Sequence, residues 1–273
     1  MLLSHARSLL FLPASNARAI DKARGLPCDM VILDLEDAVP DERKGEARTA
    51  LAEAFAAGFG DRIGAVRINA VDSPFHADDL AAVRGIQADI IVLPKAEHPR
   101  DVQAVHGALE KPVIAMIESP LGVANAREIA QAPGVVGLFM GNNDLRRDLR
   151  IPLDAGREGL TYAMQSVILA ARLAGVAVFD GVFNRIDDAV GFEAECRAGR
   201  VIGFDGKTLV HPNQIGPANA VFGASEEELE TARRLIAAAT GGAERHEGQM
   251  IEAMHVEQAR ALIARAEANR GDG

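Results

Sequence analysis

A rhythm in hydrophobicity limits what this chain can become. Eight short apolar runs recur with polar, helix-forming stretches between them: Ser8–Ala14, Met30–Glu36, Ala65–Asn69, Ile90–Lys95, Val113–Glu118, Val135–Gly141, Ala177–Val182 and Val201–Lys207. The runs are nearly continuous in Val, Ile and Leu rather than alternating. Strands covered on both faces read this way, as parallel strands do. Between them, Arg43–Ala57 is rich in Ala, Glu and Arg, good helix formers. Asp101–Leu109 and Gly122–Ala130 read as short helices, and Gly159–Leu173 as a long one closed by Gly175. Asp187–Ala198 opens with acidic residues, where the helix dipole favours them. This alternation predicts an α/β fold of the (β/α)8 TIM-barrel type. An open, doubly wound sheet is the alternative, but no Gly-x-Gly-x-x-Gly turn follows the first strand.

After the eighth run the pattern changes. Ser225–Ala239 reads as a helix with a Ser cap followed by three Glu, Thr240–Gly248 as a Gly-rich flexible link, and Met250–Ala268 as a last helix. The expected division is a catalytic barrel over 1–222 and a helical extension over 223–273. The extension is placed either over the barrel's own mouth or over a neighbouring subunit's site. With no Trp and only 4% aromatic residues, the core must be built from Ala, Val, Ile and Leu. A net charge of −10 repels phosphate polymers, so nucleic acid is not an expected partner. Cys28 and Cys196 stand far apart, with neither metal-ligand spacing nor a disulfide framework, as in a reduced cytoplasmic protein. No apolar run approaches a membrane span, and Ser8–Ala14 serves better as a first strand than as a secretion signal.

In such a barrel the chemistry collects where strands end. Polar residues do gather there: Asp34 to Asp37, Arg67 and Asn69, Lys95, Glu118 and Ser119, Asn142 to Asp144, Asp180, then Asp205 and Lys207. So many carboxylates in one cup repel each other unless a cation neutralises them. Magnesium, which takes one or two carboxylates plus waters, suits Glu118 and Asp144 at the ends of consecutive strands. Taken singly, these acids could equally cap helices or form ion pairs. Arg67, inside an apolar strand, either grips a substrate carboxylate with its planar fork or pairs with Glu36 or Asp37. Asn69 either touches substrate or closes a turn. His211 is a base or a helix cap, Tyr162 a core residue, and His5, His76, His98, His106 and His246 solvated surface groups. Neither cysteine has the setting of an activated nucleophile.

Several motifs resemble the citrate lyase β-subunit family of the HpcH/HpaI aldolase superfamily, which includes malyl-CoA and citramalyl-CoA lyases. They are Arg7–Pro13, Lys22-Ala23, Ile32–Val39, Val66–Asn69, Leu93–Lys95, Ile117–Ser119, Gly141–Leu145, Asp180–Val182 and Gly203–Gln214. The resemblance runs in order along nearly the whole chain. It implies a phosphoenolpyruvate/pyruvate-type TIM barrel, assembled as a homotrimer or homohexamer. It implies Mg2+ (or Mn2+ in its place) on Glu118 and Asp144, and Arg67 on the substrate carboxylate. Arg18 and Lys22 are implied at the coenzyme A phosphates, with Asn69 and Lys95 also in the substrate region. Asp37 is implied beside the metal's waters, with Glu36 supporting Arg67.

One departure stands out. Where coenzyme A lyases of the family carry a segment like Met-Ile-Asp-x-Pro-His, this chain has Met250-Ile251-Glu252-Ala253-Met254-His255. Glu252 can carry the same proton, but its added methylene displaces the carboxyl by about 1.5 Å. The expected activity is Mg-dependent carbon–carbon cleavage or formation on a 3-hydroxyacyl-CoA thioester, such as malyl-, citramalyl- or citryl-CoA. The products would be acetyl-CoA (or another acyl-CoA) and a 2-oxo acid. The alternatives are the β subunit of a citrate lyase complex acting on citryl-ACP, a malyl-CoA thioesterase, a pyruvate-type aldolase and a non-catalytic barrel subunit.

Overall fold

The structure, a computed structural model, describes residue 3 and residues 5–240, 242–246 and 249–271. Eight parallel strands close into a barrel, each paired with its neighbours in sequence and the last with the first. The first half runs β1 (Ser8–Pro13), α1 (Ala17–Ala23), β2 (Met30–Asp34), α2 (Lys44–Ala57), β3 (Ile63–Arg67), α3 (His76–Arg84), β4 (Ile90–Leu93) and α4 (Pro99–Leu109). The second half runs β5 (Val113–Ile117), α5 (Pro120–Ala124), α6 (Ala126–Ala130), β6 (Val135–Met140), α7 (Asn142–Asp148), α8 (Thr161–Ala174), β7 (Ala177–Asp180), α9 (Ala189–Ile202) and β8 (Gly206–Leu209). α10 (Ile215–Phe222), α11 (Glu226–Ala238), a hairpin of β9 (Glu244–His246) and β10 (Gln249–Ile251), and α12 (Ala253–Gly271) complete it. This is the (β/α)8 barrel expected from the eight runs, and the open sheet is excluded.

Strand parity sorts the apolar residues into two layers. One set fills the barrel: Leu9, Met30, Ile32, Ala65, Ile90, Val92, Ile114, Met116, Phe139 and Phe179. Phe139 meets Phe179 edge-on at 5.5 Å, so two aromatic rings fill volume that aliphatic chains alone would leave open. The alternate set, including Leu10, Val31, Leu33, Val66, Ile91, Leu93, Ala115 and Val178, packs outward against the helices. Both faces are therefore dry, which is why these strands carry no polar alternation. Gly175 ends α8 in the left-handed conformation, at φ 69°, as its position predicted.

Three elements and the burial of one residue differ from the sequence reading. Val201 and Ile202 finish α9, and the eighth strand is Gly206–Leu209; the residues from Val201 are apolar because they pack, not because they extend. Asp205 therefore sits before the strand, at the N-terminal end, where it pairs with Arg172. The stretch read as one helix over Gly122–Ala130 is broken at Asn125, whose side chain turns to donate to Glu97 O. The stretch read as a flexible link carries β9, and Met250 and Ile251, read as the start of the last helix, belong to its antiparallel partner β10. Tyr162, expected in the core, is 81% exposed, because α8 buries the face bearing Ala163, Met164 and Val167.

α11 and α12 meet the barrel at its N-terminal rim. Arg200 at the end of α9 pairs with Glu228, and Arg265 donates to Asp205 O. Both anchors lie opposite the strand ends that carry the polar cup.

Candidate active site

The same parity that fills the barrel also aims its polar groups. In β2 the inward positions are Met30, Ile32 and then Asp34; in β3 they are Ala65 and then Arg67. In β5, Ile114 and Met116 lead to Glu118, one residue past the strand. Asp34 and Arg67 are direct ladder partners. At the C-terminal mouth these groups face a cavity of about 290 Å³. Its polar side carries Asp34, Asp37, Arg67, Glu118, Asn142 and Asp144, and its apolar side Phe11, Met140, Val182 and Val210. Arg67, Glu118 and Asp144 thus share the wall of one cavity.

Arg67 is 8% exposed and closely held. Its Nε and one terminal nitrogen fork onto Asp34 at 2.7 and 2.6 Å, and the other terminal nitrogen lies 2.8 Å from Glu36 Oε2. Asp37 stands farther off, at 3.9 Å. The guanidinium lies over the Phe11 ring, 5.0 Å from its centroid. Burial works against the charge, but Asp34, then Glu36 and Glu118, outweigh it and hold Arg67 protonated. Two of its five N–H groups are committed to Asp34 and one lies 3.9 Å from Met116 Sδ, which leaves two for a ligand. The main partner, Asp34, was visible as a strand-end acid, but the ladder register that joins it to Arg67 was not.

Glu118 is 3% exposed. Its Oε1 accepts from the Lys95 backbone N–H at 2.8 Å. Burial first, then the charges of Glu36 and Asp144, push its carboxyl up to about 8 against the pull of Arg67 and that hydrogen bond. Gly141 makes room for it: a Cβ there would fall 2.3 Å from both Cβ and Oε2 of Glu118. Asp144 is in the first turn of α7, where its carboxylate also meets Arg147.

Around this pair, Lys95 is held at φ 49° and reaches Glu36 Oε1 at 2.9 Å. Burial lowers the Lys95 ammonium's proton affinity, but its hydrogen bond and charge contact with Glu36 raise it further. Burial keeps the Glu36 carboxyl above its ordinary range despite Arg67. Asp37 is open, its side chain 64% exposed. Asn69 is buried and fully engaged, donating to Leu35 O and Asp79 and accepting from Lys44, so it braces the loop.

The donor set fits a small hard cation. Two carboxylates on one wall, one of them holding its proton until about pH 8 because burial and the neighbouring acids outweigh Arg67, suit an ion that takes few protein oxygens and keeps its waters. Asn142 Oδ1, 6% exposed at residue level, lies on the same wall without a hydrogen-bond partner. Among the described residues no group of three or more His, Cys, Asp or Glu gathers to hold a metal.

Other candidates lie elsewhere. Arg18 and Lys22 stand one turn apart on the exposed face of α1, outside the cavity wall. Glu252 precedes α12 and is not on the wall. Twelve residues of helix lie between it and the Arg265 anchor, roughly 20 Å of rise, and that anchor is on the far rim. Asp180 and Lys207 face outward, into the layer beneath the helices, where Lys207 bonds Asp180 at 2.9 Å and Glu195 at 2.8 Å. His211 accepts from Asn213 N and caps a short turn. His76 and His106 are half-buried loop ties to Asn69 O and Lys111 O, not solvated groups. His5 and His98 are also half-buried, and the His246 side chain lies outside the described residues. Burial pushes the Cys28 thiol up to about 11 and the Cys196 thiol to about 12, which leaves both unreactive near neutrality.

Comparison with known proteins gives a consistent picture. The family model "HpcH/HpaI aldolase/citrate lyase" matches residues 7–212. A (3S)-malyl-CoA thioesterase of Cereibacter sphaeroides is 44% identical over 271 residues, covering 96% of this chain and 95% of its own. A citrate lyase subunit beta-like protein of Deinococcus radiodurans is 36% identical, covering 94% and 96%. The crystal structure of CitE from Mycobacterium tuberculosis, in complex with magnesium, acetoacetate and coenzyme A, superposes with a TM-score of 0.85 at 33% identity, over 97% of this chain and 100% of that one.

Proposed function

This chain belongs to the HpcH/HpaI aldolase/citrate lyase family, and from that premise we propose that it is a magnesium-dependent lyase of 3-hydroxyacyl-CoA thioesters that carry a carboxylate on the hydroxylated carbon. Malyl-CoA is the simplest such substrate. The observation that carries this reading is the shared cavity wall of Arg67, Glu118 and Asp144. It offers a fixed cation beside two buried or half-buried carboxylates, as a hydroxy-acid end group requires. The coenzyme A complex of the tuberculosis protein supports a thioester ligand.

Glu118 and Asp144 would hold the ion, and Asn142 Oδ1 is free to accept from one of its waters. A magnesium ion there supplies Lewis-acid stabilisation of the oxygen charge that develops when the hydroxyl loses its proton. Arg67 gives its two remaining donors to the substrate carboxylate, while Asp34 and Glu36 keep the guanidinium from turning. Asp37, open to the cup, takes the hydroxyl proton. The bond between the hydroxylated carbon and its neighbour breaks, and its electron pair moves into the thioester enolate. The hydroxylated carbon becomes the carbonyl of a 2-oxo acid. Glu252 of a neighbouring copy protonates the enolate carbon to give the acyl-CoA. The apolar side, Phe11, Met140, Val182 and Val210, accommodates the acyl carbons and keeps water from the enolate. Arg18 and Lys22 meet the coenzyme A phosphates at the exposed end.

Thioester hydrolysis is the second reading. It is favoured by 41–44% identity to four malyl-CoA thioesterases, against 33–36% to citrate lyase β subunits and a similar protein. The Glu252 departure favours it too, since hydrolysis needs no proton donor at the enolate carbon. A product assay on malyl-, citramalyl-, methylmalyl- and citryl-CoA separates the two. Release of a 2-oxo acid with a shorter acyl-CoA supports the lyase. Free CoA with the intact hydroxy acid supports hydrolysis. No turnover of any of them without an acyl carrier protein points to the citrate lyase subunit instead.

A further inference from the structure

We propose that Lys44 is a positioning residue, a buried ammonium that clamps the backbone after β2 and so aims Glu36, and through it Arg67, into the cup. The activity arm of this inference rests on the function proposed above; its structural arm does not.

Lys44 occupies an unfavourable place. It is the first residue of α2, where the helix dipole disfavours a cation. It is also only 4% exposed, so its charge is taken out of water. Its surroundings offset both costs. Nζ donates to Leu35 O at 2.9 Å, Glu36 O at 3.1 Å and Asn69 Oδ1 at 3.0 Å. That uses all three donors of an ammonium. The Phe75 ring lies 5.1 Å away and closes the site, and Asp41, the nearest carboxylate, is 3.9 Å off on the exposed side. The ammonium therefore binds mainly carbonyl oxygens, two of them from consecutive residues of the loop after β2.

The clamp is braced from behind. Asn69 Nδ2 donates to Asp79 at 2.6 Å and to Leu35 O at 3.0 Å, and Asp79 accepts from Arg48 Nε at 2.7 Å. Lys44, Asn69 and Asp79 are all buried, so this network joins α2 and α3 to the two loop carbonyls. Glu36 belongs to that gripped stretch. Its carboxylate lies between Arg67 at 2.8 Å and Lys95 at 2.9 Å. Loosening the backbone releases both contacts. Glu118 and Asp144 hang on other elements, β5 and α7, and stay in place.

The test compares the wild type with Lys44→Met, which keeps most of the stem and removes the donors, and with Lys44→Arg. Three quantities are read: amide hydrogen exchange across residues 35–39, kcat and KM on malyl-CoA, and magnesium affinity by calorimetry. The expected result for Lys44→Met is faster exchange confined to residues 35–39, a kcat loss of about ten- to a hundredfold, and magnesium affinity within about twofold of the wild type, with Lys44→Arg recovering part of the kcat. Unchanged exchange, or kcat within about twofold, overturns the proposal. So does a loss of magnesium binding equal to the loss of rate, since the cation would then be acting on the whole cup. If Lys44→Met does not fold, Asn69→Ser, which removes the Oδ1 acceptor and the Nδ2 donors to Leu35 O and Asp79 and keeps the lysine, carries the same expectations, and unchanged exchange there overturns the idea. A wild type that turns over no thioester fails the functional reading alone, and the exchange result still decides the clamp.

Discussion

Glu118 is a carboxyl buried among other acids, and the consequences are measurable. Its carboxyl is raised from the ordinary 4.5 to about 8 by burial first and then by Glu36 and Asp144. A carboxyl raised in the folded state binds its proton more tightly there than when unfolded. Its contribution to stability is therefore greatest below about pH 4.5, falls as the pH rises, and reaches its minimum above about 8. For the metal-free protein, the gain in stability of Glu118→Gln over the wild type should grow across that window; a difference that does not change with pH contradicts the assignment. Magnesium binding should release a proton near pH 7, measured as a buffer-dependent heat. Glu118→Ala should lower kcat by about a hundred- to a thousandfold, as loss of a main charge-stabilising group does. Gly141→Ala should act in the same direction without replacing a charged residue, because its Cβ would fall 2.3 Å from Glu118 Oε2. A Gly141→Ala enzyme with native magnesium affinity would show that Glu118 has room to move. Glu118 and Asp144 were legible as strand-end acids. The need for Gly141 was not, because it depends on two strands lying side by side.

At the scale of elements, β7 and β8 carry a polar cluster that serves the frame. Burial alone would raise the Asp180 carboxyl, but Lys207 and Arg157 outweigh it and hold it low. Arg157 forks onto Asp180 at 2.7 and 2.9 Å, and Lys207 is fully buried beside them. Asp180→Ala leaves two buried cations, Lys207 and Arg157, with Glu195 as their remaining carboxylate partner, and should cost about 3–5 kcal/mol in urea unfolding. Replacing Lys207 by Met in the same chain should recover part of that cost; a double variant as unstable as the sum of the singles would argue against direct pairing. In the sequence Asp180 and Lys207 looked like cup residues. Parity is the reason they are not: they follow the outward-facing set, and a run of apolar residues buried on both faces hides which set that is. The eighth strand was misplaced for a related reason, since the end of α9 is apolar enough to imitate a strand.

Across the whole molecule, none of the described residues of the extension lines the cup of its own chain. Its anchors, Arg200 with Glu228 and Arg265 with Asp205, lie at the N-terminal rim, while the cup opens at the other end. If Glu252 works in a neighbouring copy, co-assembled Glu118→Ala and Glu252→Gln chains should regain activity that neither variant shows alone. Mixed assemblies no more active than either parent would mean that Glu252 has no such role. The sequence by itself determined the barrel, its strand order and the belt of acids at the strand ends, because hydrophobic period and turn chemistry are local and survive in one dimension. Which acids face one another, why Arg67 is gripped by Asp34, what Lys44 holds and where the extension lies were decided only by tertiary structure. Those facts depend on ladder register and on groups far apart in the chain meeting where water is excluded, and no residue carries that information in its own neighbourhood.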